Sequence, residues 1–187
     1  MSEFLEEKER PHNAVISVNE SQAVDSSQEA NKYLTFRVGE SNFGIDLLRI
    51  KEIIEYASVC DIPMVPEHIR GVINLRGNVV PVIDLANRIG VTGDATASNR
   101  SCIIIIDVKA QDESLDIGIV VDAVNKVYEI GEEDVAHAPA FGANIRTEFI
   151  KGMGRIDRQF VVLLELAKVL DVDDLSISDI ASNAGHV

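Results

Sequence analysis

The stretch IRGVINLRGNVVPVIDLANRIGV, residues 69–91, reads as a β-hairpin running into a short helix. Val72 to Arg76 supplies one strand, built of the apolar and β-branched residues that suit a pleated surface. Gly77-Asn78 predicts the turn, because a glycine in first place offers the positive φ of a tight hairpin. Val79 to Ile83 returns. Pro81 has no N–H to give a ladder, which predicts an edge strand or a bulge at that point. Asp84 is placed to cap a helix over Leu85–Ile89, and Gly90 to end it.

The same block occurs again at residues 150–172, IKGMGRIDRQFVVLLELAKVLDV. With Ile69 set on Ile150 the two align without a gap: Gly71 meets Gly152, Val80 meets Val161, Asp84 meets Glu165, and Val91 meets Val172. Upstream, GIDLLRIKEII at 44–54 resembles GIVVDAVNKVY at 118–128, and the strand KYLTFRVG that starts at Lys32 has a partner in CIIIIDV at 102–108. Two generic apolar hairpins could look alike. Gapless agreement over a hairpin and its helix, in the same order after a second matching segment, identifies an internal duplication.

Further elements fall around these blocks. In KYLTFRVG, Leu34, Phe36 and Val38 alternate with Thr35 and Arg37, the period of a half-buried strand. In NFGIDLLRIKEIIEY the spacing of Leu47 and Ile50 suits a helical turn between a strand ending near Ile45 and one through Ile53 and Ile54. AQDESLD, 110–116, reads as a surface hairpin loop. Residues 131–149 read as an irregular excursion with a helical turn near Glu132 to Val135. Each copy is thus a small sheet with one short helix, and a sheet that small must curl or close to protect its edges. The predicted fold is mainly β: two tandem five-stranded SH3-like barrels with short helices. Residues 1–31 form a disordered acidic tail, the first barrel spans about 32–91, a polar linker 92–100, the second barrel about 101–172, and 173–187 an acidic tail that is partly helical or disordered.

Composition excludes several classes. Apolar residues make up 46% of the 187, aromatics 5%, with no Trp, so the core is aliphatic. The formal charge is −14 and much of it sits in the tails, with seven acids against two bases in residues 1–31. No basic stripe exists for a phosphate backbone or an anionic lipid surface. Cys60 and Cys102 are in no CxxC and no metal spacing, and read as buried small hydrophobes in a reduced compartment. No apolar segment serves as a signal peptide or a bilayer span, which predicts a cytoplasmic protein without membrane insertion. No nucleophile–base constellation is readable. His12 and His186 fall in tails, and His68 and His137 in predicted loops. Gly152-Met153-Gly154 opens a strand rather than a helix, so it does not cradle phosphate. Asp84 and Glu165 are better explained by helix capping than by paired-carboxylate catalysis. The expectation is a non-enzyme with no cofactor and no metal.

A duplicated fold carries its own control: positions serving only the fold should match in kind. The hairpin tip diverges most, with Asn74-Leu75-Arg76-Gly77-Asn78 in the first copy and Arg155-Ile156-Asp157-Arg158-Gln159 in the second. Arg76 stands against Asp157, a charge reversal. Drift of an exposed turn explains this as well as a partner contact does. Arg is also the residue that satisfies a carboxylate or carbonyl on another protein with its planar fork. Gly71 and Gly152, present in both copies, read as fold positions, bulges or close approaches.

The order G-I-D, I-R-G-V-I-N-L-R-G, P-V-I-D-L, then G-I-V-V-D resembles the CheW family of chemotaxis adaptor proteins over roughly residues 32–172. The resemblance implies two barrels around a shared apolar centre. It also implies two partners, the regulatory domain of a chemotaxis histidine kinase and the cytoplasmic tip of methyl-accepting receptors, the tip sitting in the groove between the barrels. It places the receptor- and kinase-binding positions at Arg76, Ile50, Glu52, Gly77, Val124 and Val127, and the motif glycines at Gly71, Gly77 and Gly118. By burial arguments alone Ile50, Val124 and Val127 are core and Glu52 a solvated charge. The implied function is a free-standing, non-enzymatic adaptor recruited to receptor arrays. A role in pilus or gliding control, suggested by the long acidic tail, and a generic peptide-binding β-barrel are the alternatives.

Overall fold

The computed structural model describes residues 30–56, 59–91, 100–110, 113–137, 145–177 and 180. Phe4, Leu5, His12, His186, nearly all of the N-terminal tail and most of the 92–100 linker lie outside these residues. The first repeat supplies β1 (Asn31–Val38), β2 (Ser41–Asp46), β3 (Ile50–Glu55), β4 (Ile69–Leu75), β5 (Asn78–Asp84) and helix α1 (Leu85–Ile89). The second supplies β6 (Cys102–Ala110), β7 (Glu113–Val121), β8 (Ala123–Ile130), β9 (Val135–Ala136), β10 (Ile150–Ile156), β11 (Gln159–Leu164), α2 (Leu166–Val169) and α3 (Val172–Leu175). Short 3-10 turns at Leu47–Arg49 and Glu132–Asp134 occupy the two places where a helical turn was expected.

The strands do not form two closed barrels. They form a six-stranded sheet, β8-β1-β2-β11-β10-β9, and a five-stranded sheet, β3-β6-β7-β5-β4. Each sheet takes the first two strands of one repeat and the later strands of the other. The joints are parallel and reciprocal: Val82 pairs with Gly118 where β5 meets β7, and Leu163 pairs with Gly44 where β11 meets β2. These four residues are equivalent two by two under the duplication, so the repeats exchange strands about a pseudo-twofold axis. A parallel pair cannot be joined by a tight turn, and the intervening chain carries it to the other repeat. Among the described residues the outer strands of each sheet have no ladder to each other, so the sheets are not closed into barrels. Their edges are protected by other means: β9 is two residues long, and β3 and β8 carry bulges and charged residues.

The quoted hairpin forms with the register Leu75 opposite Asn78, so the turn residues are Arg76 and Gly77 rather than Gly77 and Asn78. Both have positive φ, 52° and 88°, as a two-residue turn of matching twist requires. The second hairpin does the same with Asp157 and Arg158, at 45° and 69°. β5 is an interior strand, contrary to the expectation from Pro81, because β7 pairs with it only from Val82 onward. The β7 side thus needs no N–H from the proline. Asp84 caps α1 by accepting from Asn87 N at 3.0 Å, and Gly90 ends it at φ 79°. Glu165 starts α2 without a side-chain cap, its longer arm making no such bond.

Three further corrections follow from pairing. Thr35 is buried rather than outward, because it sits opposite a bulge in β8. Its hydroxyl donates to Lys126 O at 2.8 Å and accepts from Lys126 N, standing in for the lost ladder bonds. Glu113 to Asp116, taken for loop, extend β7, with Asp116 opposite Asp107. Cys60 is exposed and Cys102 partly so. Cys60 lies on the outer edge of β4, bridged to Val72 by backbone bonds of 2.8 and 2.9 Å.

The core is shared. Phe36, Phe43 and Ile45 of one sheet pack with Ile104, Ile106, Ile117 and Ile119 of the other in a single apolar cluster, and α1, α2 and α3 add Leu85, Val169 and Leu175 to it. Each sheet also keeps a small cluster of its own, one around Val82 and Ile103, the other around Leu163 and Tyr33. The chain end is clasped by the first repeat. Arg88 on α1, with only 7% of its side chain exposed, donates from Nε to Val169 O at 2.8 Å and from Nη2 to Asp174 on α3 at 2.5 Å, and lies over the Phe149 ring.

Candidate protein-binding groove

The five-stranded sheet bends until its ends approach each other. The β4–β5 turn then meets β3, the strand at the opposite edge. There Arg76 Nη1 and Nη2 donate to the two carboxylate oxygens of Glu52 at 2.8 and 3.0 Å, a bidentate pair. The Arg76 side chain is 76% exposed and Glu52 24%, so the fork is held in place while one side of it faces solvent. The local sequence supports this posture: Asn74 Oδ1 accepts from Gly77 N at 2.9 Å and braces the turn. Gly77 has open space where a Cβ would stand.

Beside the pair lies a groove of about 290 Å³ lined by Lys51, Glu52, Leu75, Arg76, Asn78 and Asp116. Strict alternation along a strand would send Lys51 and Glu52 to opposite faces. The register of β3 on β6 shifts between Ile50 and Glu52, leaving Lys51 as an extra residue. Such a bulge re-aims side chains, and both residues line the groove. Lys51 Nζ bonds Asp116 Oδ1 at 2.5 Å, reaching past β6 to β7. That bond, opposed by partial desolvation and reinforced by the charges of Asp116 and Asp107, holds the ammonium above its ordinary value, so Lys51 is a cation at neutral pH.

The positions singled out in the sequence divide between the sheets. Arg76, Gly77, Glu52 and Ile50 belong to the five-stranded sheet, with Ile50 partly buried against the shared core. Val124 and Val127 lie on β8 of the other sheet, Val124 against the core and Val127 45% exposed. The glycines at 71, 118 and 152 are sites of close approach: a Cβ on Gly71, at φ 140°, would stand 2.2 Å from Cys60 O, one on Gly118 2.8 Å from Ile103, and one on Gly152 2.5 Å from Val135. Lys51, Leu75, Asn78 and Asp116 were not singled out. Asp116 was legible only to a strand assignment that ran through SLD, and Lys51 only with the bulge in hand. Among the described residues no group of three or more His, Cys, Asp and Glu side chains is placed to hold a metal, and no helix is long and apolar enough to cross a membrane.

Two intertwined sheets around a shared core, with an exposed charged groove on one of them, are the architecture of a binding module. The chain matches the CheW-like domain model over residues 32–174. It is 32% identical over 148 residues to the chemotaxis protein CheW of Klebsiella aerogenes, covering 79% of this chain and 86% of that one. It is 33% identical over 148 residues to a probable chemotaxis protein CheW of Rhizobium etli, covering 78% and 92%. The crystal structure of the scaffolding protein TtCheW from Thermoanaerobacter tengcongensis superposes with a TM-score of 0.69 at 31% identity, covering 80% of this chain and 93% of that one. The chain belongs to the CheW family. It is a non-enzymatic adaptor of chemotaxis-type signal transduction, the family whose members couple chemoreceptors to histidine kinases.

Proposed function

We propose that this chain works in the cytoplasm at receptor arrays, holding the tip of a methyl-accepting receptor and the regulatory domain of a histidine kinase at the same time. Holding both raises their effective concentration and sets their geometry. A receptor signal then shifts the kinase equilibrium by the difference in binding energy between its two states. The observation that carries this is the Arg76–Glu52 pair, an exposed guanidinium fixed by a bidentate bond at the rim of a groove. Arg76, Glu52, Ile50 and Gly77 are assigned to the receptor side, with Val124 and Val127 contributing from the second sheet.

The test is reconstitution. The full chain is mixed with receptor membranes and the kinase, and kinase autophosphorylation is measured. Stimulation that needs all three components and is lost with Arg76→Asp supports the assignment. An unchanged rate, with neither partner bound, sinks it.

A further inference from the structure

The pseudo-twofold axis pairs every residue of the groove with one in the other sheet. Leu75 corresponds to Ile156 and Asn78 to Gln159, so the apolar and amide positions keep their character. The charged positions do not. Glu52 and Arg76 correspond to Lys126 and Asp157, both signs inverted. Lys51 and Asp116 correspond to Asn125 and Asn42, and Asn125 Nδ2 donates to Asn42 Oδ1 at 3.3 Å. The bulge on β3 therefore recurs on β8, between Leu34 and Phe36 in the register of β1. The contact from the bulge residue across one strand to the next recurs with it. The fold uses this contact in both sheets, and neutral amides satisfy it in one of them. The charged form of the contact is the one that lines the groove described above.

An exposed ion pair contributes little to stability, and Lys51 is 46% exposed with Asp116 at 28%. Within the sheet the cation also offsets the opposition of Asp107 and Asp116 on neighbouring strands, but a solvated pair contributes little there, and the other sheet makes the same contact with neutral amides. We infer that the Lys51–Asp116 pair is a specificity-determining element of the groove. With Glu52 and Arg76 beside it, it presents two acids and two bases of alternating sign. The complementary partner is a polar helical surface carrying an acidic and a basic side chain side by side. A purely apolar segment would leave these charges desolvated and unanswered. This rests on the reading that Arg76 and Glu52 belong to the receptor side, and extends it to neighbouring residues for which the family resemblance assigned no role.

The experiment uses the full-length chain and the purified cytoplasmic fragment of a methyl-accepting receptor, with the kinase regulatory domain as a second ligand. Lys51→Asn with Asp116→Asn copies the other sheet. It should leave the thermal transition in place, weaken receptor-fragment binding by about fivefold or more, flatten its salt dependence, and leave kinase-domain binding unchanged. The reversed pair, Lys51→Asp with Asp116→Lys, keeps an ion pair and guards against a folding defect. It should bind the fragment as poorly as the neutral pair, because the polarity is inverted. Receptor affinity within twofold of the parent for the neutral pair, or full rescue by the reversed pair, overturns the inference. Arg76→Asp is run alongside. Weakening by Arg76→Asp alone overturns only the Lys51–Asp116 assignment, whereas no weakening by any variant overturns the receptor reading beneath it as well.

Discussion

Arg76 and Glu52 join the two edges of a sheet that no backbone ladder joins. One sits on the turn between β4 and β5, the other on β3, and the sheet runs β3-β6-β7-β5-β4 between them. Where a barrel would have a ladder, a side-chain ion pair spans the gap. It is exposed and therefore labile, and a partner that offers either charge a better bond can compete for it.

The pair should couple measurably but modestly. Arg76→Asp places a carboxylate against Glu52, and the expected loss of stability is about 1 kcal/mol or less, since the site is solvated. Glu52→Arg combined with Arg76→Glu should restore most of it. A double-mutant cycle by urea unfolding checks this; a cooperative collapse in Arg76→Asp alone would make the residue structural rather than a contact.

Two glycines of the same hairpin should respond unequally to alanine. Gly71→Ala drives a Cβ to 2.2 Å from a backbone oxygen at φ 140°, and nothing there can give way. The expected cost is above about 3 kcal/mol. Gly77→Ala meets open space and only the positive φ of 88° opposes it, for about 1 kcal/mol. Equal unfolding midpoints for the two variants would contradict the packing described for Gly71.

The repeats should not fold apart. Every sheet needs strands from both, so a chain cut between residues 92 and 99 leaves each half with unpaired strands. The two halves are expected to be unfolded singly and to regain sheet structure when mixed. Circular dichroism of each half and of the mixture checks this, and a cooperative transition in either half alone would contradict it.

Acid should loosen the chain end. The bond from Arg88, with its charge behind it, holds the Asp174 carboxylate below its ordinary value of 3.8. A group whose folded value is depressed contributes stability above its unfolded value and loses it as pH falls through the folded one. Asp174→Asn should therefore lower stability at neutral pH and make the decline below pH 3.8 shallower. Thermal melts across that range compare the slopes; parallel curves for parent and variant would remove Asp174 from the clasp.

Local chemistry was readable from the chain. The strand in KYLTFRVG, the Asp84 cap and the Gly90 stop depend on neighbours a few residues away, and each formed where it was expected. Errors arose where a residue answers to a distant strand. Thr35 looked outward until a bulge in β8 gave its hydroxyl a backbone partner. Pro81 pointed to an edge strand, but β5 is interior, and β7 avoids the proline by pairing only from Val82. Asp116 read as part of a polar loop, but it extends β7 opposite another acid, Asp107, with Lys51 on a third strand offsetting the two.

By itself the sequence determined the elements, their duplication and the family, because periodicity, caps and turns are set by short-range sterics and hydrogen bonds. Which repeat each strand joins was decided only by the tertiary structure. Val82 and Leu163 find Gly118 and Gly44 across the axis because a side chain at either glycine would collide with its sheet, at 2.8 Å from Ile103 and 2.9 Å from Leu163. No local pattern encodes that long-range fit, and the groove that depends on it, with Arg76 on Glu52 and Lys51 on Asp116, exists only once both repeats have exchanged their strands.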